Sequence, residues 1–461
     1  MLTGLMNFDE KNCVFKLEDF NLEIEEINDR DKVYINDLKS VFDPDKSEGS
    51  NFPNILIGKD FDHGKVIHFN SYKITKTGVK TYSASLSSYI IFDQEESAFD
   101  GIKFNSEELD WFHNVKQSYS FRFSPESGNS EIKIEPYDKT DQRFAFSFEG
   151  QTINGNLNIS RTFSQLSTMP LKLKTDLNLY FEPTEKFDFI ERLSDVTLSF
   201  LKFVTYRGNI VLNKLTLLKN NKETNKYHKV GTLFIKGFNK DRTEEEKVVQ
   251  NQIIDFPIIG GNVGGVFEHL AENKIYLTHI PENSKDKNRI TSARFIMVTA
   301  GFEWQFRSTY KDLNEESEDK NKELKDEILA FLDEKINQYT GKKKKYFKSY
   351  KSLLVKTNMT LADKIKWALT EFNEELDLFI KPLYNWNGIS DYKHSEIAER
   401  IQTQRNNIAH GNIDQDFNPI VILDLFVMEW LYYAMVLNDV GVERSNIKLA
   451  INKLFNRRMA L

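Results

Sequence analysis

An arginine and a histidine stand five residues apart in Arg405-Asn406-Asn407-Ile408-Ala409-His410, with an amide directly after the arginine and Gly411 after the histidine. These residue types suit phosphodiester chemistry that needs no metal. An imidazole moves a proton near neutral pH. A guanidinium holds a phosphate through a planar fork of donors. The competing reading is a polar helix end. A histidine near a helix C-terminus is favoured as the cation by the helix dipole, and a glycine after it is a common C-cap.

The elements that position these residues follow from periodicity. The motif closes a predicted helix from about Lys393 to His410, with an apolar stripe of Ile397, Ile401 and Ile408. At about 100° per residue, Asn406 and His410 each lie about 160° from Ile408, nearly on one line. Arg405 lies about 60° from Ile408 and about 140° from His410, so the two do not converge on an ideal helix. Three arrangements bring them together: a helix that frays before Gly411, a sweep of the long arginine, or contributions from two subunits.

Around this helix the pattern is helical. Leu324, Ile328, Leu332 and Ile336 repeat on one face, and Leu361, Ile365, Leu369, Phe372, Leu376 and Phe379 form a second stripe. Asn418-Pro419 reads as an N-cap followed by proline in the first turn. It opens a segment, Ile420–Leu437, that is apolar nearly all round and is expected at the buried centre. Ile447, Ile451 and Leu454 complete the set. The highly charged stretch 311–327 precedes these helices, and the domain boundary is placed at its start.

Residues 1–310 read mostly as strands. Alternation is clear at Phe121 and Phe123, Ile132 and Ile134, Phe144, Phe146 and Phe148, and Leu177, Leu179 and Phe181. Asn154-Gly155 has hairpin-turn chemistry. Strands are expected again at Ile210–Leu218 and Val230–Lys236. A short helix from about Asn105 or Ser106 through Trp111, and a longer one from about Glu185 to Tyr206, interrupt the strands. The expected class is α+β and multidomain: a β-rich region of sandwich-like sheets over 1–310, in two lobes breaking near 170–185, then an all-α bundle over 311–461.

Composition frames the function. Of 461 residues, 40% are hydrophobic and 28% charged, with 36 phenylalanines, which favours two or three packed domains over disorder. The net charge of −7 argues against bulk non-specific nucleic-acid binding but leaves room for a local basic site. Cys13 is the single cysteine, which excludes intrachain disulfides and points to a cytoplasmic chain. No signal peptide is read, and no apolar run is expected to approach the roughly 20 residues needed to span a bilayer.

The segment RNNIAHG resembles the R-x4-6-H motif of HEPN domains, and its place before an apolar helix is similar too. The preceding region resembles the ApeA N-terminal domain, in TDLNLYFEP (175–183), in ERLSDVTLSFLKFVTYRGNIVLNKLTLL (191–218) and in the short helix at SEELDWF. Together the two resemble an ApeA-type anti-phage protein. The resemblance implies a metal-independent endoribonuclease, without cofactor, acting in abortive infection. Within it, His410 matches the histidine that moves protons, Arg405 the arginine that stabilises the phosphorane, and Asn406 the polar residue that orients phosphate or imidazole. The 2′-OH attacks the adjacent phosphate, leaving a 2′,3′-cyclic phosphate and a 5′-OH. The implied partners are RNA, with tRNA among the substrates, a second copy of the chain, and a phage-derived trigger sensed by the N-terminal region.

Other features divide between two readings. Lys342, Lys343, Lys344, Lys345, Lys348, Lys351 and Lys356, interleaved with Tyr346, Phe347 and Tyr350, are either an RNA guide or a solvated helix face. Gly260-Gly261-Asn262-Val263-Gly264-Gly265 lacks the P-loop lysine and reads as a loop between strands. The pairs His63 and His68, and His269 and His279, lack metal-ligand spacing. Glu371, Glu374 and Glu375 are either neighbours of the motif or exposed helix charges. Two other functions stay open: a bundle that binds RNA or nucleotides without cutting, and a carbohydrate-binding sandwich with a helical oligomerisation domain.

Overall fold

The computed structural model describes residues 1–27, 53–93, 97–123, 130–164, 171–212, 214–238, 244–311, 322–355, 359–411 and 418–460. By internal contacts the chain divides into two units. One comprises Met1–Lys202 with Asn209–Thr243, the other Phe203–Gly208 with Glu244–Leu461. The first is β-rich and the second helical, which makes the class α+β. The division falls ahead of residue 311; of the charged stretch placed there, 312–321 lie outside the described residues.

In the first unit, β1 (Leu2–Phe8), β2 (Lys11–Glu18), β3 (Asn21–Glu26), β4 (Ile55–Asp60), β5 (Val66–Lys76) and β6 (Thr81–Phe92) close into a barrel, since β6 pairs with both β3 and β5. The same sheet continues outward from β6 through six more strands. These are β14 (Lys226–Ile235), β13 (Leu215–Asn221), β7 (Phe99–Phe104), β12 (Leu171–Thr184), β11 (Gln151–Phe163) and β10 (Gln142–Phe148). β6 serves both parts: residues 81–85 pair with β3 and 88–92 with β14. β8 (Tyr119–Phe123) and β9 (Ser130–Ile134) form a separate hairpin.

One continuous sheet therefore replaces the expected sandwich. β12 lies inside it between β11 and β7, so no lobe break falls at 170–185. The expected turn at Asn154-Gly155 is also absent, because both residues lie within β11. The turn is Glu149-Gly150, with φ of 50° and 79°. Gly155 instead faces the Phe144 ring across the sheet, where an added Cβ would sit 2.3 Å from it. Helix α1 (Glu107–Phe112) falls close to the short helix read there, and Ser106 caps it. On α2 (Phe187–Thr205), Phe189 packs against Phe148 and Phe181, and Phe200 against Phe112.

The second unit contains α3 (Glu246–Val249), α4 (Phe256–Ile259), α5 (Val263–Ala271), α6 (Ser284–Asn288), α7 (Ser292–Thr309), α8 (Lys322–Gln338), α9 (Gly341–Val355), α10 (Leu361–Glu371), α11 (Asn373–Trp386), α12 (His394–Ala409), α13 (Pro419–Asp439) and α14 (Arg444–Leu454). Residues 244–309 are thus largely helical, against the strand reading. Phe295, Val298, Phe302 and Phe306 repeat at helical spacing and are buried, and α7 packs on α13. The six residues read as a loop between strands form a 3-10 turn and the start of α5.

Helix α13 is the centre of this unit. Asn418 caps it, accepting from Ile420 N–H at 3.0 Å, and Pro419 occupies its first turn. By length and composition it could cross a membrane, with a mean hydropathy of 1.9, yet 78% of that apolar window is buried. Two acids interrupt it, Asp424 and Glu429, and both are buried. Glu429 accepts from Tyr206 Oη at 2.7 Å and pairs with Arg294 Nη2 at 2.5 Å. Beside them, the His279 ring packs edge-on against Tyr432, with centroids 4.3 Å apart.

Burial, with the Arg294 charge adding to it, lowers the pKa of His279 from 6.5 to about 3. A depressed pKa stabilises the fold above the unfolded value and loses that contribution as pH falls. The second unit is therefore expected to lose up to about 1.4 kcal/mol of stability per pH unit between about 6.5 and 3 from this residue. Urea denaturation at stepped pH checks it. His279→Met should flatten the slope, and an unchanged slope would assign the acid sensitivity elsewhere.

Candidate active site

Helix α12 carries the Arg-Asn-His motif and is held along its length. Ile397 and Ile401 are fully buried, while Ile408, the third residue of the expected stripe, is only half-buried. Between them, Arg400 grips Asp424 of α13 with two hydrogen bonds, Nε to Oδ2 and Nη2 to Oδ1, each 2.8 Å. Tyr384 of α11 donates its hydroxyl to the same carboxylate. Burial pushes the Asp424 carboxyl above its usual range, and the bonds from Arg400 and Tyr384 oppose that shift. Gln402 accepts the Ala362 N–H at 2.9 Å, tying α12 to the first turn of α10.

The helix ends where the sequence suggests. His410 is the C-cap, with φ −87° and ψ 4°, and its N–H donates to Asn406 O at 2.9 Å. Gly411 follows with φ 78°, a left-handed conformation that turns the chain out of the helix. The His410 side chain is exposed, while Arg405 and Asn406 are half-buried. Arg405 Nη1 donates to Asn406 Oδ1 at 3.4 Å. Among the described residues no hydrogen bond joins Arg405 to His410. One chain thus brings Arg405 and Asn406 together and leaves His410 beyond the last helical turn.

A second polar group lies on the helices flanking the motif. Lys364 of α10, almost fully buried, donates to Glu303 Oε1 of α7 at 2.9 Å. Burial pushes the Glu303 carboxyl up. The bond and charge of Lys364 outweigh that and hold it below its usual range, helped by the charges of Arg307 and Arg405. Of the three acids considered as neighbours of the motif, Glu374 is exposed and the other two go elsewhere. Glu371 and the buried Glu375 both pair with Arg444 of α14, at 2.5 and 3.2 Å.

The lysine-rich segment is α9, which packs on α8. Lys342, Lys343, Lys345 and Lys348 are exposed, Lys344 is half-buried, and Tyr346 and Tyr350 are exposed. Lys351 is not free for a strand, since Asp333 pairs with it at 2.6 Å. Lys356 lies outside the described residues. On α8, Leu332 and Ile336 are buried, but Leu324 and Ile328 are exposed.

No group of three His, Cys, Asp or Glu side chains converges as a metal site among the described residues. No family model, curated protein or solved structure matches this chain.

Sequence reasoning missed Arg400, Asp424, Glu303 and Lys364, although signals for them exist. Asp424 is an acid inside an apolar helix, where only a paired carboxylate is tolerated. Lys364 falls on the apolar stripe, three residues after Leu361 and four before Ala368.

Removing one partner of a buried ion pair strands the other. Asp424→Ala is therefore expected to cost about 3–5 kcal/mol. His410→Ala, at an exposed helix end, should stay within about 0.5 kcal/mol of wild type. Denaturant titration of both variants measures the contrast, and a destabilised His410→Ala would mean that the imidazole is structural.

Proposed function

We propose that this chain is a HEPN-type endoribonuclease that cuts RNA without a metal, within an ApeA-type abortive-infection system. One observation carries the reading: the Arg405, Asn406 and His410 set sits intact at the end of a helix fixed by Arg400 and Asp424, with the imidazole open to solvent. In this reading His410 is the general base or acid for attack by the 2′-OH. Arg405 stabilises charge on the phosphorane, and Asn406 orients the phosphate or the imidazole. The products are a 2′,3′-cyclic phosphate and a 5′-OH. The exposed lysines of α9 guide the strand, with Tyr346 and Tyr350 as stacking surfaces. The β-rich unit senses the trigger, the protein acts in the cytoplasm, and tRNA is among the RNAs offered as substrate.

In-line transfer needs both an acid and a base, and each chain supplies one motif histidine. A homodimer that apposes two α12 ends meets that need, and it fits the absence of an intrachain bond between Arg405 and His410. The same absence favours a second reading, a bundle that binds RNA without cutting it. Cleavage decides between them.

Purified protein is expected to cleave total cellular RNA in EDTA, leaving 2′,3′-cyclic phosphate ends, and His410→Ala should be inactive while remaining folded. Activity lost in EDTA and restored by magnesium or manganese would point to a different site. Arg405→Lys should also be poor, because a point charge does not reproduce the guanidinium fork.

Dimer mixing tests the shared site. Wild-type chains mixed with excess His410→Ala chains should show suppressed activity, because most mixed dimers lack one histidine. Activity that simply tracks the wild-type fraction would mean that each subunit cuts alone.

A further inference from the structure

The motif arginine is one of two arginines near a single buried ion pair. Glu303 and Arg307 are four residues apart on α7, and Arg307 Nε donates to the Glu303 carbonyl at 3.3 Å. Helix α12, which carries Arg405, packs on both α7 and α10. The charges of Arg307 and Arg405 both act on the Glu303 carboxylate. Lys364, however, already neutralises Glu303 by direct contact, and at 3% exposure it is too buried to reach a strand itself. Elsewhere in this unit, Arg294, Arg400 and Arg444 each hold a carboxylate within 4.0 Å. Arg307 and Arg405 make no ion pair among the described residues. Arg307 is exposed and Arg405 half-buried. Arg307 thus stands one turn from Glu303 on α7, and Arg405 on the helix packed against α7 and α10, while Lys364 already neutralises that carboxylate. A guanidinium fork matches the paired oxygens of a phosphate or a carboxylate.

We propose that the Glu303–Lys364 pair is the positioning base of a two-arginine clamp, Arg307 and Arg405, that grips backbone phosphates of single-stranded RNA at the candidate active site. This deepens the ribonuclease reading and rests on it for the site. Glu303 and Lys364 are positioning residues that never touch the strand. Arg307 is the added phosphate contact, supplied by a helix outside the sequence motif.

The test uses the full chain and a labelled 2′-O-methyl oligoribonucleotide, which lacks the nucleophile and so reports binding alone. Anisotropy is read across a salt series. Arg307→Gln should weaken binding at least about threefold and make the salt slope shallower by about 0.7, the value for one single-strand phosphate contact. Lys285→Gln, which removes one exposed charge on α6, sets the background. The double variant Glu303→Gln with Lys364→Met keeps the net charge and removes the pair. If folded, it should weaken binding and lower kcat on ordinary RNA. Should it not fold, Arg307→Gln alone decides. Arg307→Gln behaving like Lys285→Gln overturns the clamp, and wild-type binding by the folded double variant overturns the positioning role. If the binding effects appear but wild-type protein leaves ordinary RNA intact, the clamp stands and the ribonuclease reading falls.

Discussion

Two carboxylates inside one apolar helix constrain the helical unit. An unpaired charge cannot sit in a dry interior, so Asp424 and Glu429 on α13 each demand a cation from a different helix. Arg400 of α12 answers the first and Arg294 of α7 the second. Tyrosine hydroxyls from Tyr384 and Tyr206 complete the shells. Apolar packing alone tolerates small rotations of a helix about its axis. A bidentate arginine–carboxylate pair does not, because both bonds need the same plane.

This constraint orients the candidate site. With Arg400 turned toward α13, Arg405 lies about 140° further round α12, a helix that also packs on α7 and α10. The motif arginine therefore stands within the helix, five residues past Arg400, while the histidine occupies the cap. The pairing rule recurs at Lys364 with Glu303 and at Arg444 with Glu371 and Glu375. The buried or half-buried acids of this unit act mainly as helix fasteners.

The β-rich unit obeys a different constraint. A six-strand barrel has no free edge, yet β6 is long enough to serve a barrel neighbour along one half and β14 along the other. The open sheet grows from that strand. Its pairing across the full width leaves β11 and β12 as long antiparallel neighbours within one sheet.

The sequence by itself determined the features that depend on neighbours along the chain. The Asn418-Pro419 cap, the apolar α13, the span of α12 and its stop at Gly411 are local chemistry, and each stands where the sequence places it. Only tertiary structure decided the rest. Asn154-Gly155 has turn chemistry but sits in mid-strand, because the Phe144 ring needs the space a glycine leaves. Residues 244–309 are rich in residues that suit strands, yet contact with α13 selects the helical face of Phe295, Phe302 and Phe306. The partners of Asp424 and Lys364 lie 24 and 61 residues away. Periodicity can say that such a charge faces inward; it cannot say which cation or acid waits there, because that depends on how distant helices pack.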